Sequence, residues 1–239
     1  MENKTGKYLK YALGEIVLVV IGILIALSIN NWNENRKIRI AEIEILQNLK
    51  TELELNLEAL KTINEQHKSE LKDGIYILNL FGTDISNRSE LKLDSLISNA
   101  FAGYSFEAKD GYIKSLIASN KIDYLQNAEL KSLISSFESM ILDANQEDEF
   151  VRRLFNERLW PSTDGKISAL NTLAATGAYK EFPKGTYKSD YSWFFSNREM
   201  EDLTANIFSW RKENVVDEQI FMDKIETMIR IINTQLKEK

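Results

Sequence analysis

The sequence predicts an all-α protein: one N-terminal transmembrane helix continuing into a stalk helix, followed by a mostly antiparallel helical bundle. Three observations carry this prediction. From Ile16 to Ile29 every residue except Gly22 and Ser28 is Ile, Leu, Val or Ala. Beyond Trp32 the apolar pattern becomes periodic, with Leu46, Leu49, Leu53, Leu57 and Leu60 at the three-and-four spacing of an amphipathic helix. Nowhere does alternation bounded by hairpin signals suggest a strand.

The apolar run defines the first element. Tyr11 and Trp32 stand at its two ends, separated along a helix by roughly 30 Å at about 1.5 Å per residue, the thickness of a hydrocarbon core. With Tyr8 they are the expected membrane-interface anchors. The chain divides into a short tail (1–9), a transmembrane helix (10–33), a stalk helix that packs into the bundle (34–80) and a helical domain (81–239). A signal peptide is the competing reading, since Lys4, Lys7 and Lys10 precede the run and Ala26-Leu27-Ser28 resembles a cleavage site. The length of the run and its ending in Asn30, Asn31 and Trp32 favour a retained span.

The string YALGEIVLVVIGILIALSINNWNENRK resembles the opening of an uncharacterised family of small single-span membrane proteins of Gram-negative bacteria, which begin with YAxGEIxLVVxGIxIALxINNWNE. A second stretch, GYIKSLIASNKIDYLQNAELKSLISSF, is similar to another part of that family. The resemblance implies an inner-membrane anchor carrying a domain of unknown function, and it implies no reaction. Lys4, Lys7 and Lys10 on one side of the span are balanced by Arg36, Lys37 and Arg39 on the other, so positive charge alone does not orient it. A short lysine-bearing tail is retained more readily than exported, which places the N-terminus in the cytoplasm and the C-terminal domain in the periplasm.

Composition narrows the function classes. The 239 residues, 44% hydrophobic, suffice for one span and one medium-sized domain. A net charge of −6 with no basic cluster away from the span argues against nucleic acid as a partner. Cysteine is absent, so a thiolate metal site and a disulfide framework are both excluded.

The remaining elements follow in order. No proline and no glycine occur between Asn30 and Asp73, so the membrane helix is expected to run on as the stalk until Gly74 and Phe81-Gly82-Thr83-Asp84. Leu55 lies off the stalk seam, and Asn56 and His67 fall near it. Ser89 caps a short helix with Leu91, Leu96, Ile97 and Phe101 on its apolar face, and Gly103 breaks the pattern. GYIKSLIASNK reads as another short helix. Asn127 caps a long one, with Leu130, Leu133, Ile134, Phe137 and Ile141 buried, ending before Pro161. An irregular, aromatic-rich segment leads to a capping box at Ser196 and Glu199. The final helix then has Leu203, Ile207, Trp210, Ile220, Ile225, Met228 and Ile232 on its face.

The candidate functional residues lie mainly on the span. Glu15 is an ionisable group near the edge of the hydrocarbon, where such groups are costly. At 100° per residue it shares a helix face with Gly22, Ala26 and Asn33, and the Gly22-xxx-Ala26 spacing lets a second helix approach closely. Glu15 is thus an oligomer contact, part of an ion pathway in a partner, or a side chain that reaches the headgroups. Tyr187, Tyr191 and Trp193 form a candidate partner surface, against the alternative that these rings cap the bundle. His67 is the only histidine, and Asp143-Ala-Asn145-Gln-Glu147 lacks the glycine and glutamate of a calcium loop. No catalytic residue, cofactor or metal site is expected. The expected function is a membrane-anchored interaction, scaffold or sensor protein that associates with itself or with another membrane protein. An accessory subunit of an ion-driven transport or motor complex using Glu15 is the alternative.

Overall fold

A computed structural model describes residues 4–179 and 181–237, with side chains described from Ala12 onward. Among the described residues every regular element is helical. In chain order these are α1 (Lys4–Leu78), α2 (Glu90–Ala100), α3 (Gly111–Ala118), α4 (Ala128–Ser135), α5 (Phe137–Leu154), α6 (Trp160–Thr163), α7 (Ala169–Ala175), α8 (Tyr191–Ser196) and α9 (Arg198–Lys237). A tight turn at Lys121–Tyr124 precedes α4, and a wide π turn at Phe155–Leu159 joins α5 to α6.

The long helix α1 has two characters. From residue 12 to residue 37 every side chain is exposed, and this part contains a stretch long and apolar enough to cross a membrane. From Glu42 onward one stripe turns inward: Leu46, Leu49, Leu53 and Leu60 are fully buried, while Leu55 faces solvent. α9 runs antiparallel to α1. Arg39 donates to the carbonyl of Gln235 at 3.0 Å, Lys61 pairs with Glu226 at 2.6 Å, and Glu70 meets Arg211 at 2.9 Å. α5 packs along α9, α2 along α1, and α7 on α2.

Two apolar cores result. The one nearer the bare end of α1 gathers Leu46, Leu49 and Leu53 with Ile113, Leu125, Ile134 and Phe137, closed by Phe221 and Ile225 of α9. The other gathers Ile77 and Leu80 with Phe101, Phe155, Phe194, Phe195, Ile207 and Phe208. Between them α1, α5 and α9 face one another with polar side chains.

Several elements depart from the pattern-based expectation. Gly74 does not end α1, which closes at Leu78, four residues later. A Cβ at Gly74 would overlap the Phe208 ring, so its role is to admit that ring. In α2 it is Leu93 that turns inward while Leu91 is exposed, and the Ser89 side chain makes no cap bond. Asn127 does cap, accepting from the Leu130 amide, but its helix is interrupted at Ser136. There the Ser136 hydroxyl donates to the carbonyls of Ser132 and Leu133, competing with the backbone ladder. Pro161 lies inside α6, because the preceding π turn brings it to the start of a segment where no N–H is required. α9 is capped by Asn197, whose side chain accepts from the amides of Glu199 and Met200, while Ser196 bonds back to Ser192. On α9 the buried face includes Phe208 and Phe221, while Trp210 and Ile220 are partly exposed.

Candidate functional site

Glu15, Gly22, Ala26 and Asn33 lie on the bare part of α1, exposed, with no atom near enough to crowd a side chain added at Gly22. Trp32 is 65% exposed, and the Arg36 guanidinium stands over its ring at 5.9 Å. The cation thus lies over the face of the ring, where the aromatic quadrupole attracts it. The side chains of Tyr8 and Tyr11 lie outside the described residues.

The second constellation is the polar layer between the two cores. On α1 the buried seam beyond Leu60 continues at the same three-and-four spacing, but with Asn64, His67 and Glu70. α9 supplies Arg211, Asn214 and Glu218, and α5 supplies Asp148. Each is 4% exposed or less, so no substrate reaches them. Arg211 is the hub. Its Nε meets Glu70 at 2.9 Å, and its Nη1 donates to Asp148 at 2.9 Å and to Asn214 at 2.7 Å. The Asn214 amide in turn donates to the carbonyl of Ala144 at 3.0 Å, binding α5 to α9. Glu218 accepts from Asn64 at 2.9 Å and lies 2.8 Å from His67 Nδ1. His67 Nε2 donates to the carbonyl of Tyr104 at 2.9 Å, since a carbonyl can only accept. Burial pushes the Glu70 carboxyl above its usual range, against the lowering influence of Arg211, His67 and the amides of Tyr104 and Gly103.

The same face of α1 also holds the connection from α2 through α3 to α4. Glu70 accepts from the amide of Gly103 at 2.9 Å, and Asn56 both accepts from and donates to the backbone of Lys109. Glu52 accepts from Tyr112 and Ile113 at the start of α3, and Glu42, itself paired with Arg39, accepts from Gln126. The amides of this connection that lie outside its own helical bonds are thus met by buried and half-buried acceptors on α1.

The aromatic segment separates into two parts. Tyr187 is 83% exposed, whereas Tyr191 is 4% exposed and donates its hydroxyl to Asp94 at 2.5 Å. Burial and the adjacent Asp94 carboxylate push the Tyr191 hydroxyl far above its usual range. Trp193 is half-buried beside Phe194, and Phe194 and Phe195 fill the second core. Tyr191 therefore holds α8 onto α2 and offers nothing to a partner. Among the described residues no cluster of three or more His, Asp or Glu side chains is arranged to hold a metal ion.

Of the polar layer, sequence reasoning singled out only His67, and placed Asn56 near the seam. The signal for the rest was register: Asn64, Glu70, Asn214 and Glu218 continue apolar stripes at core positions. Residues 15–182 match the model of a family described as a family of unknown function (DUF6090). No curated protein and no solved structure matches the chain.

Proposed function

The chain belongs to this family of unknown function, DUF6090, and from that premise we propose that it is a single-pass inner-membrane protein that works by contact. The observation that carries this reading is the double character of α1, bare and apolar in one part and built into a helical body in the other. A soluble chain does not leave so long an apolar helix uncovered on all sides, because each large side chain left in water forfeits on the order of 2 kcal/mol. In a bilayer the same surface is satisfied.

The body stands in the periplasm and the short tail in the cytoplasm. The face with Glu15, Gly22, Ala26 and Asn33 is the contact, where small residues allow close approach and Glu15 forms a hydrogen bond or ion pair across the interface. Because α1 is continuous and bonded to α9 through buried groups, displacement of the span is transmitted to the whole body.

The test is extraction and crosslinking. The protein should stay with membranes in carbonate and give a crosslinked dimer, or a complex with another membrane protein, in mild detergent. Glu15→Gln should weaken that association, and Gly22→Leu should abolish it. Release by carbonate sinks the membrane reading. Association that survives both substitutions removes this face as the contact.

A further inference from the structure

At the end of the body away from the span, α2, α6 and α7 enclose a half-open cleft of about 400 Å³, within the size range of small-molecule sites, about 300–1,000 Å³. Its inner wall is apolar, with Phe101, Leu159 and Leu173, and three rings stand at it partly exposed: Tyr104 at 41%, Trp160 at 44% and Tyr179 at 41%. Among the described residues no charged side chain lines it, although 28% of the chain is charged. The hollow leaves its mark on α7, which packs on α2 yet has no fully buried residue, Leu170 and Leu173 being only half-covered.

Two of the cleft's hydroxyls, those of Thr163 and Thr172, narrow the ligand further. Thr163 donates its hydroxyl hydrogen to the carbonyl of Leu159 at 2.9 Å, and Thr172 donates to Ala169 at 3.0 Å. With those hydrogens committed, the two hydroxyls offer a ligand only acceptor lone pairs. A charged ligand would lose hydration and meet no counter-charge among the described residues. A pure hydrocarbon would leave the spare lone pairs of these already bonded hydroxyls unused.

We propose that this cleft binds an uncharged, largely apolar ring compound carrying a hydrogen-bond donor, of the indole or phenol type. Apolar walls and rings cover the body of such a molecule, and Thr172 accepts from its N–H or O–H. The cleft is tied to the rest of the chain through Tyr104, whose ring lines it while its carbonyl receives the His67 bond.

The experiment uses the full chain in mild detergent, with a fluorinated indole followed by fluorine NMR and protein-free micelles as reference. Saturable broadening beyond that of the micelles is expected, and it should disappear in Ser98→Phe, which fills the cleft. The N-methylated fluoroindole, which has no donor, should bind wild type about fivefold more weakly, the scale of one hydrogen bond. Thr172→Val, nearly unchanged in shape, should weaken the parent indole by a similar factor and leave the methylated one unaffected. Uptake that does not saturate, or that Ser98→Phe leaves unchanged, overturns the site. Equal affinity of wild type for the two indoles overturns the donor assignment.

Discussion

Glu70 is where the polar layer is most finely balanced. Its carboxyl is buried against Arg211, receives the amide of Gly103, and sits in a layer shared with Asp148, His67 and Glu218. Burial wins over these partners and raises its pKa above the ordinary 4.5. A group whose folded pKa is raised holds its proton more tightly in the folded chain. Its contribution is therefore fully present below about pH 4.5 and is lost as pH rises through the elevated folded value. Comparison with Glu70→Gln isolates the effect, because Asp148, Glu218 and His67 remain in both proteins. The melting temperature of wild type relative to Glu70→Gln should fall as pH is raised from about 4 to about 7, followed by far-ultraviolet circular dichroism. A difference that grows with pH contradicts the balance described. Such a residue is hard to identify in sequence, because a glutamate on an amphipathic helix usually faces water. Only its register with Leu60 and Ile77 marks it as internal, and the decisive partner, Arg211, is far away in the chain.

At the scale of elements, periodicity was the legible part. The leucine spacing in α1 correctly separated Leu53, fully buried, from Leu55, which is 45% exposed. That contrast has a direct energetic consequence. Leu53→Ala should cost about 2–5 kcal/mol of stability through lost burial and the cavity left behind, while Leu55→Ala should stay within about 0.5 kcal/mol. Denaturant midpoints of the two variants measure this, and equal costs would mean that the first core is not seated on α1 as described. Boundaries were less legible than faces. The break between α4 and α5 depends on the Ser136 hydroxyl returning to the carbonyls of Ser132 and Leu133, a competition that composition alone does not decide. The α9 cap fell on Asn197 and not on the neighbouring Ser196 because α8 claims the Ser196 hydroxyl for its own last turn. Phe208 could occupy the second core only because Gly74 leaves room for it, a pairing that neither helix reveals by itself.

At the scale of the whole molecule, on the membrane reading proposed above, the antiparallel pairing of α1 and α9 sets which parts would lie near the bilayer. From Trp32 to Leu78 a straight helix rises roughly 70 Å, and the first tie from α9 reaches it at Arg39, beside Gln235. The C-terminal end of α9 should therefore return to the membrane side, while the loop after α1, together with the cleft, stands at the far end. Absence of cysteine makes this measurable by single labels. In vesicles with an acceptor dye in the lipid, a donor on Lys237→Cys should transfer energy efficiently, and one on Asn87→Cys should transfer little. Both sites are exposed, so neither label disturbs a core. Comparable transfer from both would mean that the body lies along the bilayer. The cleft would then be close to the lipid, and compounds dissolved there would reach it directly. On the periplasmic reading proposed above, an upright body would let the cleft sample what is dissolved in the periplasm, and whatever it binds would act on the span only through Tyr104, the polar layer and the continuous helix α1.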